Sequence, residues 1–212
     1  MTTDRREAIL EAARGVIRTE ANAVAAVAGQ LDDTFVAVAD LLAAATGKVF
    51  VVGSGTSGAI ARRMAHLFAV SGTPAVFVHP MDALHGTSGA FAPGDVLICI
   101  SRGGETAELN DLSALAQKRG LPVVALTAEP ASTLGRLADI TVVNATTDGA
   151  DPGGVIAMGS TLVTAVWGDA MATVLMRRSG YDWERVLETH PAGAVGLITE
   201  APQPLERLVE AD

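Results

Sequence analysis

The chain has 212 residues, of which 49% are apolar and only 4% aromatic, with one cysteine and a formal net charge of −9. That is enough chain to bury a full core in one domain, and an acidic balance without any lysine or arginine cluster excludes a partner held through a nucleic-acid backbone. Cys99 has no second cysteine to pair with, no apolar run nears the ~20 residues of a bilayer span, and MTTDRREAIL lacks the basic-then-apolar order of a secretory leader, so the expectation is a cytoplasmic protein away from membranes.

In chain order, residues 4–29 carry helical apolar spacing through Ile9, Leu10, Ala13, Val16 and Ile17, and 33–45 continue in the same rhythm. These are two leading helices within 1–46. Five short β-rich runs follow: KVFVV (48–52), PAVFV (74–78), DVLICI (95–100), PVVALT (122–127) and DITVV (139–143). They are continuously apolar rather than alternating, as strands covered on both faces are. The segments between them read as helices over 56–71, weakly 83–89, 105–119 and 132–137, with a long apolar helix over 155–178 and a short one over 183–187. Strands alternating with helices specify an α/β fold, here a three-layer, doubly wound, five-stranded parallel sheet of order 2-1-3-4-5. The domain is expected to span 1–196. The acidic segment 197–212, with two prolines, is expected to be poorly ordered or a peripheral helix.

The first strand runs into GSGTSG (53–58), a literal G-x-G-x-x-G. A dinucleotide site also needs an acidic residue at the end of the second strand to bind ribose. That strand ends in His79-Pro80, and Asp82 lies beyond the proline. The third strand runs into a second hydroxyl-rich turn, SRGGETAEL (101–109). In the order 2-1-3, the helices after strands 1 and 3 leave to opposite faces, so both turns meet at one crevice. Ser54, Gly55, Thr56 and Ser57 then face Ser101, Arg102, Gly103 and Thr106, and their hydroxyls and amides suit the oxygens of one phosphate. Two facing loops fit a phosphomonoester better than a dinucleotide.

GSGTSG, SRGGET and MGSTLVTAVWGDA (158–170) together resemble the SIS (sugar isomerase) domain, whose members bind phosphosugars. The resemblance spans roughly 35–196. HPMDALHG (79–86) and THPAGAVG (189–196) are most similar to arabinose 5-phosphate isomerases, long members of which add a pair of CBS modules not found in these residues. The 6-phospho-3-hexuloisomerases share the second loop but not the HP-x-GA-x-G ending. The resemblance implies interconversion of an aldose phosphate and its ketose. That reaction needs a carboxylate base, a proton shuttle and a phosphate cradle, and no metal or other cofactor. Glu108 matches the family's active-site carboxylate, while Glu105 suits a capping role. His85 matches an active-site histidine, and His190 is implied to act in a neighbouring subunit's site. Two positions depart from the pattern: Thr56 stands where those isomerases carry lysine, and Gly149 where they carry glutamate, with Arg102 a candidate replacement for the lost positive charge. The rival reading is a phosphosugar-binding sensor without turnover, and activity on aminosugar phosphates is a third.

Of the remaining residues, His79, His85 and Asp82 lack metal-ligand spacing. His66 reads as a structural residue of the helix after GSGTSG, Cys99 as a buried thiol, and Asp169 as a satisfied buried carboxylate. The leading helices and the long helix carry more apolar face than one sheet covers, so a homodimer or homotetramer is expected, with sites at subunit interfaces.

Overall fold

The computed structural model describes residues 3–208. Helix α1 (Thr3–Ala26) leads through a 3₁₀ turn to α2 (Asp33–Ala44), whose first turn is capped by the Asp32 carboxylate accepting from the Thr34 N–H at 2.9 Å. There follow β1 (Val49–Gly53), α3 (Gly55–Val70), β2 (Ala75–Phe77), α4 (Pro80–Leu84), β3 (Val96–Ile100), α5 (Ala107–Lys118), β4 (Val123–Thr127), α6 (Thr133–Leu137), β5 (Ile140–Val143), α7 (Gly159–Ser179) and α8 (Trp183–Glu188). The strands pair in the order β2-β1-β3-β4-β5, all parallel, with Val51 opposite Phe77 on one side and Ile98 on the other.

Strand alternation builds two cores. Val49, Val51, Ile98, Ile100, Val124 and Leu126 point to the face covered by α2, α3 and α7, where Trp167, Phe68 and Met171 fill the space. Phe50, Val52, Leu97, Cys99, Val123 and Ala125 point to the other face, under Ala83 of α4, Leu109 and Leu112 of α5 and Leu134 of α6. The expected three-layer, doubly wound architecture is therefore present, with α3 and α5 on opposite faces of adjacent strands. Cys99 is fully buried beside the Ser113 hydroxyl at 3.2 Å, and burial pushes its thiol up to about 12.

Several local expectations differ. The long helix starts at Gly159 rather than at 155, because Val155, Ile156 and Met158 lie in an exposed loop that ends where the Asp151 carboxylate accepts from the N–H groups of Met158 and Ser160. The expected helix over 83–89 is the short α4 followed by a 3₁₀ turn (Thr87–Ala90), separated at Gly86. Beyond a last 3₁₀ turn (Val195–Leu197), residues 198–208 form no helix. They are tethered by Trp183 donating to the Gln203 carbonyl and Arg177 to that of Glu206, while 209–212 fall outside the described residues. Asp169 is not buried: it is 40% exposed and forms a bidentate pair with Arg63 at 2.5 and 2.9 Å. His66 lies on the exposed face of α3.

Candidate active site

The crevice forms at the carboxyl ends of β1 and β3. After β1, close packing sets the turn: a Cβ on Gly53 would stand 2.8 Å from the Ser57 carbonyl, and one on Gly58 2.6 Å from that of Gly53. Gly55 has φ +56°, a backbone region costly for other residues, with open space where its side chain would project. The glycines thus fold the loop tightly while leaving Ser54, Thr56 and Ser57 on its outer side. Across the crevice, Ser101 Oγ lies 3.0 Å from Thr106 Oγ1 and accepts from the Gly104 N–H at 3.2 Å, so the two hydroxyls are linked beside the start of α5.

One contact joins the two loops. The Ser54 hydroxyl donates to Glu108 Oε1 at 2.8 Å, across 54 residues of sequence. The N–H of Glu108 itself and the Ser54 hydroxyl hold this half-buried carboxyl below the ordinary glutamate range, with a smaller contribution from the His79 imidazole. Glu108 is accordingly ionised at neutral pH and competent to accept a proton. His79, which closes the second strand in the sequence, lies near Glu108. Its place at the end of β2, next to β1, is the signal that puts it beside the crevice; its Nδ1 accepts from the Met81 N–H at 3.3 Å and caps α4. Glu105 faces away and caps a different helix from the one expected. Its carboxylate accepts from the Thr133 hydroxyl at 2.7 Å and N–H at 2.8 Å, which keep it below the glutamate range.

Arg102 leaves the second loop toward the segment before α7. Its Nε lies 3.3 Å from Asp151 Oδ2, and its Nη1 donates to the Gly154 carbonyl at 3.1 Å. Burial alone would raise the Asp151 carboxyl. Hydrogen bonds from Ser160 and Met158, together with the Arg102 charge, reverse this and hold it below the aspartate range.

The SIS domain model matches residues 41–174 of this chain. The chain belongs to the SIS domain family. Among relatives of this SIS domain are two proteins named arabinose 5-phosphate isomerase KdsD. The Shigella flexneri protein is 36% identical over 186 residues and the Pseudomonas aeruginosa protein 35% over 187, each alignment covering 88% of this chain. The chain spans 57% of the length of these relatives. An Escherichia coli CFT073 protein solved in complex with arabinose 5-phosphate superposes with a TM-score of 0.84 at 32% identity, covering 90% of this chain and all of that one.

Within this SIS domain, Ser54, Gly55, Thr56, Ser57, Ser101, Gly103, Thr106 and Glu108 stand at or beside the crevice, and Arg102 stands near Ser57, turned toward Asp151. Thr56 is exposed in the first turn of α3. Gly149, where the resemblance implies a glutamate, has φ +79°. His85 caps the C-terminus of α4 and is exposed. His190 is not brought to Glu108. Its Nδ1 bonds the Val186 carbonyl at 2.8 Å at the end of α8. Val186 and Trp183 of α8 line an apolar groove with Leu67, Val70 and Ser71, at the opposite end of α3 from GSGTSG. A helix of 16 residues separates those ends by roughly 22 Å. Among the described residues, no group of three or more His, Cys, Asp or Glu side chains is placed to hold a metal, and no helix is long and apolar enough to cross a membrane.

Proposed function

We propose that this chain is an aldose–ketose isomerase acting on a sugar phosphate through an enediol(ate). The observation that carries the proposal is the Ser54–Glu108 hydrogen bond, which places an ionised carboxylate between two hydroxyl-lined loops at the topological switch point. Thr56, Ser57, Ser101 and Thr106, with the amides of Gly55 and Gly103, take the phosphate, while the Ser54 hydroxyl is committed to Glu108. Glu108 removes the proton from the carbon next to the carbonyl and returns it to the neighbouring carbon. His85 and a neighbouring subunit's His190 move protons at oxygen. The arabinose 5-phosphate isomerases among its relatives, and the related chain solved with that sugar phosphate, support a pentose phosphate as the first substrate to try.

The second reading is a phosphosugar-binding module without turnover, favoured by Thr56 and Gly149 at two positions where charged groups are expected. One experiment separates them. Five- to seven-carbon aldose phosphates are tested for thermal stabilisation and for conversion followed by NMR. The isomerase reading requires conversion of at least one sugar and a loss of about 10²–10⁴-fold in kcat for Glu108→Gln with binding retained. Stabilisation without conversion, with Glu108→Gln binding like the parent, establishes the sensor.

A further inference from the structure

Beside the phosphate loop lies a small crevice that shares Ser57 with that loop and whose remaining wall has no part in the proposed reaction. It is lined by Ser57 and Ile60 of α3, Ile100 and Arg102 at the end of β3, and Ser160 and Thr161 of α7, and holds about 20 Å³. A water-sized group needs about 10–15 Å³, so the crevice takes one hydroxyl and not a sugar ring. Its polar groups are unevenly committed. The Thr161 hydroxyl donates to the Met158 carbonyl at 2.7 Å and the Thr164 hydroxyl to that of Ser160 at 3.1 Å. Ser160 is 7% exposed; its Oγ completes no well-formed hydrogen bond, although it lies near enough to the Asp151 carboxylate to help hold it ionised. A buried hydroxyl whose hydrogen bonding is incomplete is uncommon, which points to a group that arrives from outside the chain to complete it.

The same crevice has a charged wall that is fixed in place. Asp151 is 5% exposed; its Oδ1 accepts from the N–H groups of Met158 and Ser160 at 2.9 and 3.0 Å, and its Oδ2 pairs with Arg102 at 3.3 Å. One carboxylate therefore sets both the backbone of Ser160 and the guanidinium facing it. Arg102, in turn, is neutralised by that carboxylate and tied to the Gly154 carbonyl, so it is suited to a hydroxyl rather than to a second phosphate.

We propose that this crevice is a hydroxyl pocket of the sugar site, in which Ser160 Oγ and the Arg102 guanidinium bind one substrate hydroxyl and Asp151 is the positioning residue for both. The inference rests on the sugar-phosphate reading and adds to it the group that selects among sugars. Ser57 belongs to both the pocket and the phosphate loop, so the hydroxyl and the phosphate are read side by side. A site built to hydrogen-bond a substrate hydroxyl rejects the analogue lacking it far more strongly than an apolar pocket does.

The test compares arabinose 5-phosphate, or whichever aldose phosphate the protein prefers, with its single-deoxy analogues, by kcat/KM and by calorimetric affinity. The wild type should lose about 100-fold on one analogue. Ser160→Ala should handle that analogue and the parent sugar within about threefold of each other. Asp151→Asn keeps an oxygen for the two N–H groups but offers Arg102 an amide, so it should lose the same discrimination with a smaller drop in melting temperature than Asp151→Ala. Arg102→Met should do likewise. A Ser160→Ala protein that discriminates as the wild type does overturns the pocket, whatever its activity. Binding without turnover sinks the isomerase reading alone, because the discrimination is still read as affinity. A wild type that binds no sugar phosphate sinks both.

Discussion

At the scale of single residues, Glu108 shows how much an environment does with one contact. It sits in the first turn of α5, where any carboxylate is favoured by the helix dipole, and the hydroxyl of Ser54 adds a donor from a different loop. Both effects favour the charged form. A 13C NMR titration of the Glu108 carboxyl should therefore find its midpoint below the ordinary glutamate value of about 4.3. In Ser54→Ala one lowering contact is gone and the midpoint should rise; an unmoved midpoint would remove the hydrogen bond from the account. Glu108 was legible in the sequence because its neighbours in the chain form the motif. Asp151 was not legible in the same way. Its role depends on Arg102, 49 positions earlier, and no local spacing announces such a pairing. Gly149 is explained by its backbone: at φ +79° a glutamate would be strained, so the loop is built for the glycine it has.

Among the elements, the strands were legible to within a residue or two at either end, because a strand buried on both faces has a continuous apolar run as its signature. The start of α7 was not. Val155, Ile156 and Met158 continue the apolar character of the helix, and apolar content alone extends it to 155. The local backbone decides otherwise: Gly153 and Gly154 adopt positive φ, and the Asp151 side chain takes up the N–H groups of Met158 and Ser160. Capping of this kind is worth about 0.5–2 kcal/mol, so Asp151→Ala should lower the melting temperature by several degrees, with Asp151→Asn, which keeps an acceptor oxygen but not the charge, in between. The pH dependence has a definite sign. The folded carboxyl is held below its unfolded value of about 3.9, so its contribution is complete above that pH and fades as pH falls through the folded value. The gap in melting temperature between wild type and Asp151→Ala should be constant from about pH 5 to 8 and narrow below about pH 4, toward that of Asp151→Asn. A gap that widens on acidification would contradict this assignment.

For the whole molecule, two observations point beyond one chain. Ile9, Val16 and Ile17 on α1 are 54, 48 and 65% exposed, so a face of helical apolar spacing has no cover within the chain. His190 is held at the far end of α3 from Glu108, and no bending of a packed 16-residue helix closes that distance. Both are met if a second copy packs on the leading helix and delivers its own His190 to the crevice. Light scattering should then show a dimer or tetramer at micromolar concentration, and Ile17→Glu should shift it toward monomer. The sharper test is complementation. Glu108→Gln and His190→Ala are each expected to be nearly inactive. If His190 acts on a partner's site, a subunit that keeps Glu108 finds an intact His190 on a Glu108→Gln neighbour. Random mixing into dimers makes half the population mixed, with one working site of two, and should restore about a quarter of wild-type activity. If each subunit uses its own histidine, every site in the mixture lacks one group and activity stays at the level of the separate variants. Recovery of activity on mixing therefore decides whether the site belongs to one chain or to two.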